Sequence, residues 1–227
     1  MIKFLDWDTD FFGIKCGKAI LEEPLSDSEW EEFLLEQKDY DFVSIVNKGC
    51  DTSNAVRISA DTTAFLADTN VQLSKPVEDV ECPDEVVVEE ALPYNEDFLK
   101  LTVFEHSKFF HDKKLFARGG AKVYEQWLKN SFGKEGKFFA YVANLGYCLF
   151  SADGKNCVIE LIRVSDKARG KGIGKKLLKA TEHFAHSKGL TTLSVGTQLT
   201  NTGALNFYIS CGQKIVRADS TYHLWNI

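Results

Sequence analysis

No run of this sequence is apolar for long enough to cross a membrane. The first twenty residues, interrupted by Asp6, Asp8 and Asp10, lack the basic start and unbroken apolar stretch of a secretory signal. A cytoplasmic protein with no membrane partner is therefore expected. Positive charge is also short, with 27 Lys and Arg against 33 Asp and Glu and a net charge of −6. A general nucleic-acid binder gains affinity by neutralising phosphates and needs the opposite balance, so nucleic acid is not an expected partner. The six cysteines, Cys16, Cys50, Cys82, Cys148, Cys157 and Cys211, include no CxxC pair. That spacing favours reduced thiols serving as small apolar core residues. Internal repeats and low-complexity tracts are missing as well.

What is present is a globular pattern: 44% of the 227 residues are hydrophobic, enough to bury a sizeable core. Composition shifts once, at the proline- and acid-rich stretch 75–93, which predicts a small N-terminal α/β domain over 1–80 and a larger one over 86–227. In the first, 11–20 reads as a strand and 26–37 as a helix opened by Ser26 with Glu29 three residues on. Strands over 41–46 and 64–73 flank a second short helix over 52–63. In the second, a strand over 85–91 precedes a helix capped by Asn95 and running to about Lys108, then a helix over 121–132. Strands over 137–144 and 146–152 follow, and the Asp153-Gly154 turn leads into a strand over 157–164. A helix with Ile173, Leu177, Leu178, Thr181, Phe184 and Ala185 on one side ends at Gly189. A strand at 191–197, a helix over 201–212 and two last strands near 214–218 and 221–225 complete the order βααβββαβαββ. This is an α+β fold with a mixed sheet.

The turn Arg169-Gly170-Lys171-Gly172-Ile173-Gly174 joins a strand to an amphipathic helix. Its glycine spacing is neither GxGxxG nor GxxxxGK[ST], so the dinucleotide and nucleoside-triphosphate fingerprints both fail. Glycines at 170, 172 and 174 let backbone N–H groups approach a ligand closely, and the helix start adds its positive end. With Arg169, Lys171, Lys175 and Lys176 around it, the turn suits a diphosphate.

The strand, the R-x-x-G-x-G spacing of Arg169, Gly172 and Gly174, and the helix resemble the acetyl-CoA motif of the GCN5-related N-acetyltransferase (GNAT) superfamily. A second stretch, 191–212, resembles that family's later strand and helix, with Asn201, Ala204 and Tyr208 in N-x-x-A-x-x-x-Y spacing. The resemblance covers about residues 86–227. It implies a GNAT fold with acetyl-CoA as co-substrate, its diphosphate on the loop amides and its pantetheine arm along a splayed strand. The residues expected to hold it are Arg163, Val164, Arg169, Gly170, Lys171, Gly172, Ile173, Gly174, Lys175, Asn201 and Ala204. Stretches at 5–15, 122–130 and 191–212 further resemble the bacterial dTDP-4-amino-4,6-dideoxygalactose (dTDP-fucosamine) acetyltransferases, which implies a nucleotide-linked amino sugar as acceptor.

Acetyl transfer to an amine needs a free lone pair, a polarised thioester carbonyl and a proton for the leaving thiolate. Tyr208, protonated at neutral pH, suits the general acid, as the resemblance also implies. Glu160 alternates with Val158, Ile162 and Val164 along a strand; an isolated carboxylate there would be raised by desolvation and accept a proton. A structural carboxylate bonded to backbone or lysine is the equal alternative, and the general base stays open. The backbone N–H of Val164 is the family's usual place for polarising the carbonyl.

For the acceptor, 105–120 brings together Phe109, Phe110, Phe116, His106, His111, Lys113, Lys114 and Arg118, aromatics and cations that suit a thymine and a diphosphate. A surface connection with a hydrophobic anchor is the alternative, and Trp7, Phe11 and Phe12 read either as pocket or as core. His183 and His186 are three apart on a helix but lack a third ligand, so no metal is expected. Another small amine, a peptide amine, or a CoA-binding module without turnover remain rival readings, and the sequence leaves a homodimer open.

Overall fold

The computed structural model describes residues 1–102 and 106–227. The N-terminal part runs β1 (Ile2–Phe4), α1 (Asp6–Phe12), β2 (Cys16–Leu21), α2 (Asp27–Glu36), β3 (Phe42–Asn47), α3 (Thr52–Asp61) and β4 (Phe65–Pro76). Then come β5 (Val87–Glu90) and four short helices, α4 (Glu96–Leu101), α5 (Lys108–His111), α6 (Lys113–Ala117) and α7 (Val123–Ser131). The chain continues through β6 (Lys137–Val142), β7 (Gly146–Asp153), β8 (Asn156–Val164), α8 (Ile173–Ser187), β9 (Thr192–Gln198), α9 (Thr202–Ser210) and β10 (Lys214–Trp225).

Local chemistry accounts for most helix starts. Ser26 accepts the Glu29 N–H while the Glu29 carboxylate accepts the Ser26 N–H, so the capping box expected for α2 forms. Asn95 caps α4 through bonds from the N–H groups of Asp97 and Phe98. The helix expected from Asn95 to Lys108 stops at Leu101, and its middle, 103–105, lies outside the described residues. The strand expected over 11–20 begins only at Cys16. Its first residues, Phe11 and Phe12, belong to α1, which Gly13 ends in the left-handed conformation.

Among the described residues, ten strands form one sheet in the order β1-β2-β3-β10-β4-β9-β8-β7-β6-β5. Of its pairings there, β2–β3 and β8–β9 are parallel and the others antiparallel. The two last strands expected from the sequence are one, β10, whose twelve residues pair with β3 on one side and β4 on the other. Since β10 comes from the C-terminal part and its neighbours from the N-terminal part, the sheet is continuous across the compositional boundary at 75–93.

Helices cover both faces. On one, α8 and α9 pack Ile173, Leu177, Leu178, Leu205 and Tyr208 against Val71, Leu73, Phe150, Ile159 and Val195, and α2 and α3 extend the layer with Trp30, Phe33 and Ile58. On the other, α4 and α7 bury Phe98 and Leu128 against Phe139, Tyr147 and Leu149, while α1 and α6 bury Phe12 and Leu115 beside Cys16 and Phe42. Burying a side chain of this size contributes roughly 1.5–3 kcal/mol. Cys16, Cys148 and Cys157 are buried and the other three thiols half-buried, all free.

Candidate active site

The parallel ladder between β8 and β9 runs from Asn156 opposite Thr192 to Ile159 opposite Val195 and stops there. Beyond it β8 stays paired with β7 as far as Val164, while Gly196, Thr197 and Gln198 turn to β4. The two strands therefore part, leaving a wedge edged by backbone. Near the β8 end, Ser165 N–H bonds to Leu145 carbonyl at 2.8 Å. Successive N–H groups of a strand point to opposite edges, so the Val164 N–H faces the wedge.

The glycine turn lies directly ahead of that edge, after a 3-10 turn at Asp166–Ala168. Gly170 (φ 75°) and Gly172 (φ 79°) are left-handed, and an added Cβ at either would meet open space. Gly172 is the N-cap of α8 and offers no side-chain acceptor, so the first-turn N–H groups point outward together, the arrangement that binds an anion. Gly174 departs from the expectation. An added Cβ there would sit 3.0 Å from the Phe207 ring, so this glycine lets α8 and α9 pack closely rather than opening the backbone to a ligand. Arg169 pairs with Asp166 at 2.8 Å and Lys176 with Glu85. Lys171 and Lys175 have no ion-pair partner among the described residues and remain available to an anion.

Tyr208 projects from α9 into the core it shares with Leu177 and Leu178 and is 4% exposed. Burial pushes its phenol well above the ordinary value, so it is protonated throughout the neutral range. Its hydroxyl makes no hydrogen bond within the described residues. It is also absent from the fully enclosed polar atoms that lack a partner, which are Asn156 Oδ1, the two Gln213 amide atoms and His223 Nε2. The hydroxyl thus retains slight solvent contact and a proton to give. Asn201 accepts the Ala204 N–H at 3.2 Å as the N-cap of α9, and Ala204 packs against the same core as Tyr208. Arg163 Nε donates to the Leu101 carbonyl at 2.8 Å, which places its guanidinium beside α4.

Glu160 differs from the isolated carboxylate read from the sequence. The β7–β8 register slips between Leu149 opposite Leu161 and Phe150 opposite Ile159, so Glu160 is the extra residue of a β-bulge. The bulge breaks the alternation with Ile162 and Val164, which pack toward α8. Glu160 turns instead to the α7 side, where Lys137 ion-pairs with it, Ser151 Oγ donates at 2.6 Å and Trp127 Nε1 at 3.0 Å. Strand alternation alone cannot register an inserted residue.

Residues 95–213, just over half of the chain, match the Acetyltransferase (GNAT) family. The chain belongs to this family. It is 25% identical over 126 residues to the spore coat polysaccharide biosynthesis protein SpsD of Bacillus subtilis, covering 54% of this chain and 44% of that protein. It is 32% identical over 74 residues to an aminoglycoside N(6')-acetyltransferase type 1 of Klebsiella aerogenes, covering 33% of this chain and 49% of that one. The chain thus spans about half the length of these curated relatives or less. A GCN5-related N-acetyltransferase structure from Sphaerobacter thermophilus superposes with a TM-score of 0.58 at 15% identity, over 87% of this chain and 66% of that one. The GNAT fold, with its mixed sheet, is the one described above.

On the face of the sheet opposite α8, a cavity of about 210 Å³ opens between α1 and α7, walled by Trp7, Trp127, Asn130, Lys134 and Lys137. Tyr124 stacks on Trp127 at 6.1 Å between ring centroids and bonds to Ser107 and to Gln198 at the end of β9. The segment 105–120 begins at Glu105, outside the described residues, and the rest of it divides. Phe109 joins the core with Phe12, Lys114 and Arg118 lie over the Trp225 ring, and Phe110 and Phe116 pack edge to face at the surface. Lys108, absent from the sequence-based candidates, faces Asp68 and Asp8. The signal available for Asp68 is a charged residue inside a strand with neighbours on both edges. His183 Nδ1 contacts the Val80 carbonyl at 2.8 Å and His186 pairs with Asp79 at 3.5 Å.

Proposed function

We propose that the protein transfers the acetyl group of acetyl-CoA to the amine of a nucleotide-linked amino sugar, by direct attack with both substrates bound. The observation that carries this reading is the parting of β8 from β9 immediately before a glycine turn whose helix start has no side-chain cap. In it, the backbone from Gly170 to Lys175, with the free ammonium groups of Lys171 and Lys175, holds the CoA diphosphate. Arg169 borders this turn at the surface, and Ile173 anchors the start of α8 in the core.

The exposed edge of β8 takes the pantetheine amides in place of the β9 strand that has left it. The Val164 N–H donates to the thioester carbonyl oxygen as negative charge develops there. Tyr208 gives its proton to the departing thiolate, whose conjugate acid near pKa 8.5 is more acidic than a buried phenol, so the driving force comes from forming the amide. Asn201 and Ala204 hold α9, and with it Tyr208, against the wedge. Glu160 fixes Lys137 and Trp127 in the wall of the acceptor cavity. Most of the acceleration comes from holding amine and thioester together.

The aromatic and cationic wall formed by Trp7, Trp127 and Lys134 suits a nucleotide base and its diphosphate. The likeness to a polysaccharide biosynthesis protein supports a sugar acceptor. The likeness to an aminoglycoside acetyltransferase favours a second reading, an aminoglycoside acceptor on the same machinery. Thiol release from acetyl-CoA, followed with dTDP-4-amino-4,6-dideoxygalactose, kanamycin or a lysine peptide against a no-acceptor blank, tests both. Release fastest with the nucleotide sugar is expected. Kanamycin in first place transfers the assignment to the second reading, and blank-level release with every amine overturns acetyl transfer.

A further inference from the structure

The proposed reaction still lacks a group to take the proton from the acceptor ammonium, because Glu160 is held by three donors. A different carboxylate lies on the acceptor face. Strand pairing sets Lys18 opposite Ser44 and Ser44 opposite His223. It sets Thr221 opposite Asp68 and Asn70 opposite Gln198. Paired residues project from the same side of a sheet, so these side chains form a polar strip from β2 across β3, β10 and β4 to the end of β9 at the wedge. Ser44, Thr221 and His223 are 7%, 3% and 0% exposed, on a covered face where apolar residues are the norm.

The groups above and within the strip are Asp8 on α1, Lys108 and His111 on α5, Tyr124 on α7, Lys18 on β2, and His223 with Asp112. Lys108 lies within electrostatic reach of Asp68 and Asp8, yet among the described residues no ion pair closes between them. His223 Nδ1 is held to Asp112 Oδ2 at 2.6 Å, while its Nε2 is sealed from solvent without a partner. Unclosed charges beside an unmatched buried nitrogen mark a site completed by a polar ligand rather than a finished core.

We propose that this strip is the subsite for the acceptor's amine and that Asp68 is the carboxylate that binds the ammonium and takes its proton. The proposal rests on the acetyl-transfer reading. The ammonium N–H bond breaks and its proton goes to Asp68. The freed lone pair forms the C–N bond to the acetyl carbon as the C–S bond breaks, and Tyr208 protonates the sulfur. The second nitrogen proton returns to the Tyr208 oxygen through solvent, and Asp68 releases its own to solvent. The net change is one ammonium and one thioester becoming one amide, one thiol and one proton.

The electrostatics support the assignment. Burial raises the Asp68 carboxyl above the ordinary aspartate value, opposed by Lys108, the Thr69 N–H and His111, which makes it a stronger base than a surface aspartate. Burial lowers Lys108 to about 8, with Lys18 adding to the effect and Asp68 and Asp8 opposing it.

The test compares wild type, Asp68→Asn and Asp68→Glu in thiol release with dTDP-4-amino-4,6-dideoxygalactose and kanamycin, across pH. Asp68→Asn is expected to lower kcat/KM for the amine roughly 100-fold, leave KM for acetyl-CoA unchanged and remove the acid limb of the pH profile, with Asp68→Glu recovering part of the rate. A rate within threefold of wild type and an intact limb would overturn the assignment. A second measurement needs no turnover. In wild type, the Asp68 carboxyl carbon, assigned by its loss in whichever variant folds, should shift in the NMR spectrum when either amine is added. An unmoved resonance with a bound amine, or with both amines at saturating concentration, overturns the subsite. If wild type acetylates neither amine, the transfer reading falls and the carboxyl shift alone decides whether amines bind at Asp68.

Discussion

The two faces of the sheet handle polar groups in opposite ways. The face under α8 and α9 is mainly apolar and its buried charges are closed, Lys75 pairing with Glu182 at 2.8 Å, while the Tyr208 hydroxyl has no hydrogen-bond partner among the described residues. The face under α1, α5 and α7 carries carboxylates, lysines and a buried histidine, some fully satisfied and some not. Glu160 there has three donors, whereas Asp68 faces Lys108 without closing an ion pair. A cofactor common to a family can be met by backbone and one hydroxyl on a rigid apolar layer. A particular acceptor needs charges placed by several elements, and these are the groups a free protein leaves unmatched.

The largest expected effect breaks the apolar face. Tyr208→Phe removes a hydroxyl with no protein bond, so thermal stability should hold while kcat falls about 100-fold and KM for acetyl-CoA stays level, read by thiol release. An unchanged kcat would take the general acid away from α9. Next, Gly172→Val places a side chain at φ 79° in the turn proposed to hold the diphosphate. KM for acetyl-CoA should rise roughly tenfold, the equivalent of one charge-assisted hydrogen bond, and an unchanged KM would remove the diphosphate from the turn.

On the opposite face, Glu160→Gln should act on stability before chemistry. It strips Lys137 of its partner where Glu160 is 7% and Lys137 22% exposed. The cost is about 2 kcal/mol after allowance for solvent, or roughly 4–8 °C in Tm by calorimetry. A variant as stable as wild type but as slow as Tyr208→Phe would make Glu160 a group that acts on substrate.

The smallest effect is in pH dependence. Burial holds His223 below the ordinary histidine value and Lys108 adds to this, against the opposing bond to Asp112. The unfolded histidine takes up a proton near pH 6.5 while the folded one resists, so stability should fall as pH drops through that value. Urea midpoints at about pH 7.5 and 5.5 measure it, and a midpoint no lower at 5.5 would show that the buried pair accepts the proton.

The elements that were legible carry local signals. The capping box of α2, the left-handed Gly170 and Gly172 and the periodicity of α8 each act within a few residues, and these form as expected. The misreadings share the opposite character. An inserted residue at Glu160 reverses which side of β8 faces which helix, and only the partner strand β7 reveals it. Gly174 looked like part of the phosphate turn, but Phe207, 33 positions away, explains its missing Cβ. The two last strands merged into β10 because β3 and β4 together offer it a continuous pair of edges.

The sequence by itself determined the α+β class, the family resemblance, the glycine turn and the tyrosine of α9, since backbone conformation and capping depend on near neighbours. Only the tertiary structure brought Asp8, Asp68, Lys108, Tyr124 and His223 together. Their proximity depends on the order of strands in the sheet, with β10 threaded between β3 and β4, and strand order is set by long-range pairing that no local pattern encodes.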